Sequence, residues 1–192
     1  MFTGHSQQIT ITRLWDGSPA LLGEHVTLEL VAAPERRCLQ IAIDAPFHGD
    51  PPPPGPPGHT PGLWNFEVVE LFLFGDGARY LELEFGPHGH HLVLELHGVR
   101  TPVREVSRLA YRSERFGDRW RGAADVPFTL LPPGLSRCNA HAIHGLGDAR
   151  RYLSAIPAGG DRPDFHRLDA AAALDIELLQ ALGRPPSPRP SC

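Results

Sequence analysis

Two side chains invite a chemical reading. Trp64 and Glu70 stand in the run Leu63-Trp64-Asn65-Phe66-Glu67-Val68-Val69-Glu70-Leu71-Phe72-Leu73-Phe74. Alternate side chains of an extended strand share a face, so Trp64, Phe66, Val68, Glu70 and Phe72 point one way. A carboxylate between Val69 and Leu71 must be paired, hydrogen-bonded or set at the floor of a site, because an isolated buried charge is too costly. A flat ring above an acid suits a polyol. The ring covers the C–H face of a sugar, and the carboxylate accepts bonds from its hydroxyls. The structural alternative is that Trp64 plugs the end of a core while Glu70 bridges to an arginine.

Other groups raise other chemistries. Glu67, Glu70, Glu82 and Glu84 could pair as glycosidase carboxylates, which stand roughly 5–9 Å apart across a cleft. Glu82 and Glu84, however, alternate with Leu81, Leu83 and Phe85. That alternation predicts a strand with one wet face, carrying Tyr80, Glu82 and Glu84. The chain has 11 histidines. His88 and His90 could share a face at a spacing zinc tolerates, but no Cys or acidic partner sits at a recognisable interval. The expectation is therefore no metal, with His88 capping a turn and His90 and His91 solvated. There is no Gly-x-Ser-x-Gly elbow, phosphate loop or Cys/His pair at a family spacing, and no basic–aromatic platform for RNA. No catalytic residue and no cofactor is expected.

The elements that must position these groups read as strands. Residues 64–74, 79–85 and 91–96 are three β-runs joined by Gly-Asp-Gly and Gly86-Pro87-His88-Gly89 turns. The first is apolar on both faces, as a central strand is. Residues 8–14, 26–31 and 38–43 alternate as earlier strands, and 103–111, 119–126, 138–145 and 151–156 as later ones. Residues 127–131 read as a helical turn. Residues 168–182 predict the one helix, capped by Asp169, striped by Leu174, Leu178, Leu179 and Leu182, and ended by Gly183. Residues 46–62 are Pro/Gly-rich and cannot pair as a central strand. This stiff loop is expected to shape the rim beside Trp64, or to recruit a proline-reading protein. Roughly ten strands with no βαβ alternation predict an all-β antiparallel sandwich with one C-terminal helix. The expected layout is one domain over residues 1–183 and a disordered Pro/Ser tail over 184–192.

Composition narrows the class. The 192 residues carry 18 Lys plus Arg against 22 Asp plus Glu, a net charge of −4. That gives no general pull toward nucleic acid or an anionic membrane. Cys38, Cys138 and Cys192 are too few and too scattered for a disulfide framework. No secretory h-region and no apolar run of about 20 residues is visible. Together these point to a reduced, cytoplasmic setting.

The Trp-x5-Glu opening of the Val-Val-Glu-Leu-Phe-Leu strand, followed by Tyr-Leu-Glu-Leu-Glu, resembles family 9 carbohydrate-binding modules and their DOMON-like relatives. Trp120-Arg121-Gly122 through Pro127-Phe128, and Tyr152 followed by Pro163-Asp164-Phe165-His166, resemble later elements of that fold. Over nearly the whole chain a closer match exists. Trp15-Asp16-Gly17, Asp44-Ala45-Pro46-Phe47, Asp50-Pro51-Pro52, Ala142-Ile143-His144-Gly145 and Pro163-Asp164-Phe165-His166 identify it as a member of the UPF0462-type family of small uncharacterised proteins. The wider resemblance implies a non-catalytic module that binds a carbohydrate or related polyol. Trp64 stacks on the ligand, Glu70 accepts hydroxyl bonds, Tyr152 closes the other side, and Arg79 or His144 supplies donors. Some DOMON-like domains bind haem, but the only Met is Met1, which leaves no Met–His axial pair. Two other readings stay open: an interaction protein using the 46–62 loop, and a hydrolase using Glu70 with a histidine.

Overall fold

A computed structural model describes residues 5–183; the expected tail at 184–192 lies outside the described residues. The chain runs β1 (Ser6–Ile11), β2 (Arg13–Leu14), β3 (Val26–Ala33), β4 (Cys38–Pro46), β5 (Gly58–His59), β6 (Val68–Phe74) and β7 (Arg79–Phe85). It continues through β8 (His90–His97), β9 (Pro102–Glu105), β10 (Ala110–Phe116), β11 (Arg119–Pro127), β12 (Arg137–His144), β13 (Arg151–Ser154), β14 (Ala172–Ala173) and α1 (Ile176–Ala181). One sheet has the order β1-β3-β4-β11-β10. The other has the order β2-β13-β12-β6-β7-β8-β5, with β14 on β12 and β9 on β8. Among the described residues, only the short β5–β8 pairing is parallel. The architecture is thus an antiparallel β-sandwich with one short C-terminal helix.

The core lies between the sheets. Period-2 alternation sends Leu28 and Leu30 of β3, Ile41 and Ile43 of β4, Leu71 and Leu73 of β6, and Leu81 and Leu83 of β7 into one apolar cluster. Leu174, Leu178, Leu179 and Leu182 close its end. The helix is shorter than the 168–182 stripe predicts. Asp175, not Asp169, caps it by accepting from the Glu177 and Leu178 N–H groups. The preceding residues are extended because β12 captures them. Ala172 and Ala173 pair with Cys138 and Arg137, and the Asn139 side-chain amide donates to the Ile156 and Ala170 carbonyls.

That capture overturns a second expectation. The segment following β13 returns across the outer face of the larger sheet, and Phe165, Leu168 and Ala171 pack on Phe72, Phe74, Tyr80 and Leu96. The face of β7 predicted to be wet is therefore covered, and Tyr80, Glu82 and Glu84 are buried. Two further differences follow from local geometry. Trp64 precedes the strand, in a 3-10 turn over Leu63–Asn65. The expected 103–111 strand is two pieces, β9 and β10, that belong to different sheets.

Side-chain hydroxyls tie the sheets together at one edge. Tyr111 Oη donates to the Gly86 carbonyl at 2.8 Å and Ser113 Oγ to the Pro87 carbonyl at 2.8 Å, joining edge strand β10 to the β7–β8 turn. Gly86 is buried, and without that donor its carbonyl keeps only the longer bond from the Gly89 N–H at 3.3 Å. Tyr111→Phe is expected to destabilise the protein by about 0.5–1.5 kcal/mol, the net worth of one hydrogen bond. Urea denaturation measures it, and an unchanged midpoint would show that this tie contributes nothing.

Candidate functional site

The covered outer face is not filled. Between it and the returning segment lies an open cavity of 410 Å³. Trp64, Tyr152 and Phe165 contribute rings, Glu70 and Glu82 the floor, and Arg100 and His166 further polar groups. Cross-strand register creates the floor. Glu70 of β6 lies directly opposite Glu84 of β7, and Phe72 lies opposite Glu82. Glu82 and Glu84 share a face at i, i+2, so three carboxyls meet. One oxygen of each lies within 4.8 Å of the others. Relative exposures are 2% for Glu70, 4% for Glu82 and 0% for Glu84.

Such a cluster cannot carry three charges. Burial first, then the neighbouring Glu82, raises Glu70 well above the ordinary carboxyl value of 4.5, with Arg150 opposing. Burial pushes Glu82 up to about 7. Burial, then Glu70 and Glu82, raises Glu84 well above 4.5. The expected carboxylate at position 70 is thus held toward its protonated form, able to donate as well as accept.

The walls are fixed by partners that sequence reasoning missed. Arg150 donates to the Trp64 carbonyl at 2.6 Å and to the Gly145 carbonyl at 3.0 Å, clamping the turn that presents Trp64, which is 45% exposed. Phe165 stacks on His141, with centroids 4.0 Å apart. His141 is a buried core histidine, pushed down to about 3 by burial and by His166. Tyr80 Oη accepts from the Arg100 backbone N–H at 3.1 Å and lies 2.7 Å from His166 Nδ1. The direction of that second bond follows from the His166 tautomer. Burial, then Arg100, lowers His166 to about 4, which keeps the imidazole neutral near pH 7.

Of the expected binding residues, Trp64, Glu70 and Tyr152 line this cavity and the other two do not. Arg79 starts β7 at the end far from Glu84 and lines a separate groove with Glu95 and His97. His144 ends β12 elsewhere, stacked on His48 with centroids 3.5 Å apart and 3.2 Å from Glu24, which Arg151 holds at 2.7 and 2.8 Å. Alternation along the strands cannot distinguish these locations, because it gives a face and not its distance from a covering segment. The 46–62 loop also lines none of the cavity. Glu67 holds its start by accepting the His48, Gly49 and Asp50 N–H groups. His90 and His91 are buried rather than solvated, because β5 covers that edge of β8; His90 Nδ1 meets Thr60 Oγ1 at 2.8 Å.

The carboxyl cluster gives stability a definite pH dependence. A carboxyl whose pKa is raised by folding binds more protons folded than unfolded, so its contribution is lost as pH rises above 4.5. The buried histidines are lowered in the fold, to about 3 for His141 and about 4 for His166. They act oppositely, and only below their ordinary value of 6.5. From about pH 7 to pH 9 the carboxyls dominate. The wild type is expected to lose more stability over that interval than Glu84→Gln does. Parallel thermal-denaturation curves would contradict it.

The chain has informative likenesses. No protein-family model matches it. Among solved structures, a "putative carbohydrate-binding protein" from Bacteroides uniformis has the same fold, with a TM-score of 0.68 and 16% identity, covering 88% of this chain and 85% of that one. Among relatives, the chain is 38% identical to the mouse UPF0462 protein C4orf33 homolog over 86% of this chain and 89% of that protein. It is 39% identical to human UPF0462 protein C4orf33 over 88% of each, and 38% identical to the zebrafish homolog over 83% and 84%. Shared along nearly their full lengths, that identity makes this chain a member of the UPF0462 family.

Proposed function

We propose that the protein is a non-catalytic binding module for a small carbohydrate or related polyol, held in the cavity between Trp64, Tyr152 and the Glu70 floor. One observation carries the reading: two aromatic rings and a carboxyl on different elements line a single open hollow of 410 Å³. That volume falls within the usual range of roughly 300–1,000 Å³ for small-ligand sites. Trp64 covers a C–H face of the sugar, and Tyr152 and Phe165 bound the other sides. A protonated Glu70 carboxyl both donates to and accepts from hydroxyls. His166 and Arg100 supply donors in place of Arg79 and His144. Membership of the sandwich in the family 9 or DOMON-like group belongs to the same reading, and the carbohydrate-binding description of the Bacteroides neighbour lends it support.

The carboxyl geometry favours binding over glycoside hydrolysis. Hydrolysis needs two carboxyls on opposite sides of the scissile bond, roughly 5 Å or more apart. Here three carboxyls crowd one wall within 4.8 Å.

A second reading rests on the proline-rich loop. Pro51, Pro52, Pro54, Pro56 and Pro57 are exposed. The loop's start is fixed by Glu67, and Asp50 Oδ2 accepts the Gly145 N–H at 2.6 Å. A rigid extended segment loses little entropy on binding, which suits a proline-reading partner and an interaction role in the cytoplasm.

Calorimetric titration with mono- and disaccharides tests the first reading. Trp64→Ala, at a half-exposed ring, is expected to keep the fold and weaken binding by about tenfold or more. Identical flat isotherms for both proteins would remove sugar binding. For the second reading, purified SH3 and WW domains are the probes. Binding that disappears when residues 51–57 become a Gly/Ser segment supports it, and binding by none of them eliminates it.

A further inference from the structure

The carboxyl cluster carries more acid than a neutral polyol needs. Among the described residues, neither Glu70, Glu82 nor Glu84 forms an ion pair with a basic side chain, and the two nearby guanidinium groups are committed elsewhere. Arg100 pairs with Asp164 at 2.9 Å, and Arg150 donates to the backbone carbonyls of Trp64 and Gly145. Behind the floor, Glu84 is fully buried, and neither of its carboxyl oxygens has a hydrogen-bond partner of normal geometry. The polar groups facing it are the Trp64 backbone N–H and the Glu82 carboxyl. Glu82 Oε2 is likewise without a partner. A fold that buries three acids on adjacent strands with no basic side chain in ion-pair contact invites a cation from outside.

We infer that the ligand of this cavity carries a protonated amino group beside its hydroxyls, as an amino sugar or amino-polyol does, and that the ammonium seats against Glu70 and Glu82 in front of Glu84. The inference rests on the proposed polyol-binding role of the same cavity. Three features select an organic ammonium. The lining includes the aromatic rings of Trp64, Tyr152 and Phe165, residue types whose ring faces attract a cation, and its one guanidinium, Arg100, is paired with Asp164. A hard metal ion instead asks for 6–8 oxygens around it, which aromatic walls do not provide. A primary ammonium has three donors on one atom, enough for the Glu70 and Glu82 carboxyls that line the cavity, with Glu84 adding negative potential from behind, all three gathered within 4.8 Å.

Charge balance follows. The empty cluster holds protons because like charges so close cannot all ionise. An entering ammonium stabilises the ionised carboxyls, and each carboxyl that ionises releases its proton to solvent while the amine keeps its own. The groups that set this balance are Glu70 on β6, Glu82 and Glu84 on β7, Arg150 before β13, and Arg100 with Asp164. Tyr80, His141 and His166 face the cluster as neutral groups. Affinity for the ammonium form therefore rises with pH across the neutral range, by up to about tenfold per unit for each proton released.

The experiment is calorimetry on the full chain with glucosamine, glucose, N-acetylglucosamine and calcium chloride, in two buffers of different ionisation enthalpy, at about pH 5.5 and about pH 7, where the glucosamine amine stays mostly protonated. Glucosamine is expected to bind about tenfold or more tighter than glucose and N-acetylglucosamine, with proton release and an advantage that grows with pH. Glu70→Gln and Glu84→Gln, each confirmed folded by circular dichroism, are expected to bring glucosamine down to the level of glucose. Equal binding of all three sugars overturns the ammonium assignment and leaves the polyol reading standing. Absence of binding by any sugar overturns both. A preference for glucosamine that survives in both variants, or carboxyl-dependent binding of calcium tighter than that of glucosamine, overturns the inference.

Discussion

Three carboxyl groups meeting on the outer face of β6 and β7 are the constraint around which the surrounding structure is arranged. Like charges directly across a strand pair oppose sheet formation, and burial raises the cost further. The sheet tolerates them because they keep protons and because the rest of the central strands is strongly apolar. Leu71 and Leu73 of β6 and Leu81 and Leu83 of β7 are fully buried on the opposite face. The inner face supplies the cohesion, and the outer face is left for the site.

The cavity is made by a segment rather than by the sheet alone. After β13 the chain crosses back over the outer face, held by the Asn139 amide and by the Arg137 guanidinium, which donates to the Leu168 carbonyl at 2.9 Å. This crossing lays Phe165 against His141 and sets His166 against Tyr80. On the opposite rim, Arg150 fixes the turn bearing Trp64 through carbonyl contacts. Both walls are thus held by donors acting on backbone oxygens, which gives a preformed hollow and lowers the ordering cost of binding.

The second histidine-rich area is independent of this cavity. His144, His48, Glu24 and Arg151 form a partly buried network at the end of β12, with burial lowering His144 to about 4. Here neutral stacked imidazoles lie beside a carboxylate held by arginine. The network ties β12 and β13 to residues that precede β3, a structural connection between the sheets.

The sequence by itself determined the strands and the facing of their apolar sides. Period-2 alternation is local and gave β3, β7, β11 and β12 within a residue or two, with β4 extending further at its end and β6 starting later than expected, and hence an antiparallel sandwich. It also singled out Glu70, because an acid inside a run apolar on both faces requires an explanation. It could not tell a wet face from one covered by distant chain. The alternation of Tyr80, Glu82 and Glu84 with leucines is the same in either case, and what buries them lies some 80 residues later in sequence. The tertiary structure decided which acids meet, because register across β6 and β7 is a property of the pair and not of either strand. It also decided that Arg79 and His144 lie away from Trp64, since neighbours along a ribbon separate once the ribbon is folded between two layers.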